Sequence, residues 1–67
     1  MKELYKLFIS DKIKLIMLCK SELGYKSTLL YFKPSAIRFS ELEDFLREEK
    51  SLIEVVLKDK TTKHFRK

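Results

Sequence analysis

Sixty-seven residues with 45% apolar side chains make one small globular domain, residues 1–67, and exclude a disordered chain. The longest apolar run, Leu15–Cys19, is five residues, far short of the roughly 18 that cross a bilayer, so no membrane partner is expected. A formal net charge of +5 suits an anionic partner, and a single cysteine excludes a disulfide framework or a cysteine-built metal site.

The charge is unevenly placed. Residues 1–39 carry +5, residues 40–54 carry −4 and residues 55–67 carry +4. An acidic segment is bracketed by two basic ones, which predicts an acidic side and a basic side if the elements pack face to face. Cys19 lies in an apolar run and reads as a small buried hydrophobe; one cysteine and no leader-like segment lead to the expectation of a reducing, cytoplasmic setting. A chain this short buries only roughly 60% of its unfolded surface, so self-association into a homodimer is expected on size alone.

In chain order, Met1–Ser10 is ambiguous by period. Leu4, Leu7 and Phe8 share a helix face; Tyr5, Leu7 and Ile9 share a strand face. The aromatic and β-branched content favours a strand. Asp11–Leu23 also has two readings, with strand ahead: Ile13, Leu15, Met17 and Cys19 alternate with Lys12, Lys14, Ile16, Leu18 and Lys20. Ser21–Lys26 is a turn in which Gly24 can take positive φ. Ser27–Lys33 is a strand that Pro34 ends, because proline donates no N–H and holds Lys33 extended.

Ser40–Lys50 is the clearest element. Leu42, Phe45 and Leu46 form one apolar stripe, Ser40 suits the N-cap, and Glu43 completes a capping box. Glu43 and Arg47 form an i,i+4 pair. Leu52–Lys58 follows as a strand, Asp59–Thr62 as a hairpin turn and Lys63–Lys67 as the return strand with Phe65 inward.

These elements predict an α+β fold: two layers, four or five mostly antiparallel strands, and the Ser40–Lys50 helix across one face. The expected inward set is Leu15, Met17, Leu30, Phe32, Leu42, Phe45, Leu46, Ile53, Val55 and Leu57. An all-α alternative treats Asp11–Leu23, the Ser40 helix and Ser51–Lys60 as a winged helix-turn-helix. Against it, Glu43 falls where that motif wants a small residue, and Ile53, Val55 and Val56 prefer a strand.

No catalytic set is expected. His64 is the single histidine, Cys19 has no positioned base, and the carboxylates lie along one exposed helix rather than in a desolvated pair. No cofactor is implied, since one glycine cannot make a phosphate-binding loop. Binding remains, in two classes. For nucleic acid, Lys58, Lys60, Lys63, Arg66 and Lys67 crowd the C-terminal segment with Phe65 among them, matching cations to phosphates and an aromatic to a base. Lysine outnumbers arginine twelve to three, which weakens specific readout. For a protein partner, Glu41, Asp44, Glu48 and Glu49 form an acidic helix face suited to a basic surface, and an exposed sheet edge suits strand addition. By size alone the chain resembles the accessory proteins of phages and mobile elements, which inhibit or adapt a protein partner.

Overall fold

The computed structural model describes residues 2–66. The chain runs α1 (Lys2–Ile9), β1 (Ile13–Glu22), β2 (Tyr25–Phe32), a 3-10 turn at Pro34–Ala36, α2 (Phe39–Leu46), β3 (Ser51–Leu57) and β4 (Thr62–Arg66). The four strands form one sheet in the order β2-β1-β3-β4, antiparallel throughout. The fold is the expected α+β domain with two helices in place of one, and the all-α alternative is excluded because residues 13–22 and 51–57 are strands.

The extra helix is α1. Leu4 is fully buried, and Leu7 and Phe8 pack against the core, whereas Tyr5 and Ile9 are exposed. That is the helical stripe and not the strand one. The three-four spacing lets a single element put three apolar side chains onto the sheet, and this packing outweighs the β-propensity of Tyr, Phe and Ile.

Helix α2 buries Leu42, Phe45 and Leu46, as its stripe requires. Its ends differ from the sequence reading. Arg38 is the extended N-cap and Ser40 sits inside the first turn, so Ser40 caps nothing. Glu41, not Glu43, reaches back: its Oε1 accepts the Arg38 N–H at 2.9 Å. Arg47 bonds Asp44 at 3.1 Å rather than Glu43. Lys50 lies beyond the helix with φ 61°, in the turn that enters β3.

Both helices lie on one face of the sheet. In an antiparallel ladder, directly opposed residues share a face. Ile16 opposes Phe32 and Val55, and Leu18 opposes Leu30 and Ile53. Ile16, Leu18, Ile53 and Val55 join Leu4, Leu42, Phe45 and Leu46 in the core, with Phe32 and Phe65 at its margin. Leu15 and Met17 belong to the other, uncovered face, and Leu30 is more than half exposed, so these three leave the expected inward set. The cause is parity: β1 has apolar residues on both faces, and only α1 and α2 decide which face is covered.

The two hairpins are closed by local chemistry. Leu23 and Gly24 make the two-residue β1–β2 loop, both with positive φ (50° and 82°), the signature of the primed turn that matches strand twist. After β3, the Asp59 carboxylate accepts the Thr61 N–H at 2.9 Å and Lys60 takes φ 73°.

Candidate functional site

The cationic set expected to hold nucleic acid does not converge. Lys63 opposes Val55 and Phe65 opposes Ile53, so both point to the helix side, where Lys63 pairs with Glu3 at 3.2 Å and Phe65 packs at the core margin. Arg66 opposes Leu52 and points to the uncovered face. Lys58 and Lys60 sit at the β3–β4 turn, with Lys58 3.4 Å from Asp11. Lys67 lies outside the described residues. Alternation along β4 divides neighbours in sequence between two faces.

The acidic set is on α2 and the turn after it, and much of its charge is engaged within the fold. Glu41 holds the helix N-terminus, Asp44 pairs with Arg47, and Glu48 pairs with Lys20 at 3.2 Å. Lys20 also donates to the Glu49 carbonyl at 3.0 Å. The Glu49 side chain is exposed.

On the uncovered face, Glu54 stands near the middle of the sheet, buried to 7% exposure by its neighbours' side chains rather than by a second layer. Lys26 Nζ reaches over β1 to its Oε1 at 2.6 Å, and His64 Nε2 lies 3.0 Å from the same oxygen. The Lys26 hydrogen bond holds the Glu54 carboxyl below its ordinary range, outweighing desolvation, with His64 adding in the same direction. Glu54 raises the Lys26 ammonium in return. A carboxylate held ionised and already bonded is poorly suited to donate a proton. Cys19 is buried on the same face with Sγ 3.7 Å from Thr28 Oγ1. Among the described residues no group of three His, Cys, Asp or Glu side chains is placed to hold a metal ion. Nor, among the described residues, is any helix long and apolar enough to cross a membrane.

The most unusual surface is β2. Five of the seven exposed large hydrophobic side chains among the described residues fall between Leu23 and Tyr31: Leu23 (93%), Tyr25, Leu29 (51%), Leu30 (56%) and Tyr31 (70%). The strand is at the end of the sheet, so its outer row of N–H and C=O groups has no strand beside it among the described residues. Leu23 adds local strain, because a leucine in the left-handed region costs roughly 1–2 kcal/mol and the position suits Asn or Gly. The opposite edge, β4, is built differently: five residues with Lys63, His64 and Arg66 among them. Short length and charge are the usual protection of a sheet edge, and β2, at eight residues with Lys26 as its one charged side chain, lacks both. The sequence signals strand here but not edge position, which depends on the order in which strands pair.

No protein-family model, no curated protein and no solved structure matches this chain.

Proposed function

We propose that this is a non-catalytic protein-binding domain that captures an extended segment along the β2 edge by strand addition. The observation that carries the reading is the eight-residue edge strand β2, whose outer side has no strand beside it among the described residues and on which Leu29, Leu30 and Tyr31 are each more than half exposed. Main-chain hydrogen bonds along such an edge supply affinity, and alternate side chains supply selectivity. The division of Lys63 and Phe65 from Arg66 between the two sheet faces favours this over a phosphate-tracking surface, which needs its cations in one groove. The ion pairs of Asp44 with Arg47 and of Glu48 with Lys20 likewise favour the edge over the acidic helix.

The test is a selection of displayed random heptapeptides against the protein, followed by amide chemical-shift mapping with a selected peptide. Shifts confined to residues 23–33, with slowed hydrogen exchange in β2, are expected. Shifts centred on α2 or β4, or no selectable peptide, overturn the reading. Retention on mixed-sequence DNA or RNA that falls steeply with salt and is lost on charge reversal of Lys60, Lys63 and Arg66 restores the nucleic-acid alternative.

A further inference from the structure

We infer that the segment taken up by β2 is the β2 of a second copy of this chain, the two strands running antiparallel about a two-fold axis between Thr28 and Leu29. The inference rests on β2 being the binding edge and names its partner. In this register Tyr25 lies opposite the second copy's Phe32, Lys26 opposite its Tyr31 and Ser27 opposite its Leu30.

The β-bulge makes the strand complementary to itself. Pairing with β1 slips between Leu18–Leu30 and Cys19–Thr28, leaving Leu29 as the extra residue. Before the slip, Tyr25 and Ser27 lie on the helix side and Lys26 and Thr28 on the uncovered side. After it, Leu30 and Phe32 lie on the helix side and Tyr31 on the uncovered side. Lys26 and Tyr31, five positions apart, would point to opposite faces of a regular strand; here they share one. Opposed residues across an antiparallel pair must share a face. The stated register satisfies this at all three named pairs and uses the whole strand.

Neighbouring registers do worse. A shift of one residue sets Lys26 opposite Leu30 or Phe32, which point the other way. A shift of two sets Ser27 opposite Thr28, again on different faces, or sets Lys26 opposite Lys33, where like charges repel. In the stated register the Lys26 stem, its Nζ held by Glu54 across β1, lies beside the second copy's Tyr31, and each Tyr25 meets a Phe. The Leu23 turn is carried to the second copy's Lys33–Pro34 end, giving apolar company to a leucine that is 93% exposed in the single chain.

The experiment is sedimentation equilibrium of the full chain beside Tyr31→Lys and Tyr31→Glu. Tyr31 is 70% exposed, so neither change empties the core, and circular dichroism checks that the fold is kept. The parent is expected to dimerise. Tyr31→Lys places lysine against Lys26 twice per dimer and should raise the dissociation constant roughly tenfold, while Tyr31→Glu should hold or tighten it. Mixed isotope labelling should show intermolecular contacts from Tyr25 to Phe32 and from Lys26 to Tyr31. A monomer at every concentration, equal effects of the two substitutions, or intermolecular contacts elsewhere overturns the inference. If the monomer still binds selected peptides along β2, the strand-addition reading stands and only the second copy is wrong; if it binds none, both fall.

Discussion

Lys26 Nζ and Glu54 Oε1 are 2.6 Å apart on the face of the sheet that neither helix covers, joining edge strand β2 to β3 across the intervening β1. The bond ties the proposed binding edge to the most buried strand of the domain. It also makes stability depend on pH. The Glu54 carboxyl is lowered from an ordinary 4.5, chiefly by the Lys26 hydrogen bond. A group lowered on folding contributes stability that is fully present above its unfolded value and is lost as pH falls through its folded one. The urea midpoint should therefore drop as pH is taken from neutral to below the carboxylate range. Glu54→Gln should lower the neutral-pH midpoint and flatten the acid limb. An unchanged acid limb in that variant would assign the loss to other carboxylates.

Ile16 and Met17 are adjacent in β1 but stand on opposite faces, one in the core and one half-exposed. Ile16→Ala should cost about 2–5 kcal/mol by urea denaturation. Met17→Ala should cost less than half as much, because part of its surface is already in water and no enclosed cavity forms. Equal losses would mean that the uncovered face is covered in solution.

The same pair marks how far the fold was legible in the sequence. The stripe Leu42, Phe45, Leu46 has one consistent reading, and in Leu52–Lys58 the β-branched alternation outweighs the helical alternative; helix and strand are both found. In β1 the apolar residues occupy both parities, so local pattern identifies a strand without identifying its covered face. Leu4, Leu7 and Phe8 settle that, since α1 packs on the Ile16 side, and a ten-residue segment has too few turns for its own period to be distinctive. The candidate edge was legible only as a strand. Its exposure follows from strand order, which pairs β2 with β1 alone and leaves no strand beyond it among the described residues.

Arg38 and Glu41 take the roles that spacing suggests for Ser40 and Glu43. With Arg38 at the N-cap, Ser40→Ala should change stability by no more than about 0.5 kcal/mol. Glu41→Ala should cost about 1 kcal/mol, because the Arg38 N–H loses its acceptor at 2.9 Å. The reverse ranking in thermal melts would place the start of α2 two residues later.

Leu23 holds φ 50° in the β1–β2 loop and is almost wholly exposed. Leu23→Asn should raise single-chain stability by about 1 kcal/mol, since Asn adopts this conformation with less strain. The same change should weaken capture along β2 if Leu23 is retained for contact. A variant that is more stable and binds as well as the parent would reduce Leu23 to an unoptimised turn residue.

Lys20 anchors the turn that leads from α2 into β3. Its Nζ lies 3.2 Å from Glu48 Oε1, 3.0 Å from the Glu49 carbonyl oxygen and 5.5 Å from the centre of the Phe45 ring. Three acceptors of one cation around a single turn suggest a structural clamp, but the magnitudes set a limit. Glu48 is more than half exposed, so solvent screens the pair, and exposed ion pairs contribute about 0.2–1 kcal/mol. Lys20→Met keeps the stem over Phe45 and removes the charge. It should cost less than about 1 kcal/mol in low salt, with the loss shrinking as salt is added. A double-mutant cycle with Glu48→Gln isolates the pair. A coupling that stays constant up to high salt would show that the contact is shielded from solvent, and that the turn closes more tightly over Phe45 than its exposure indicates.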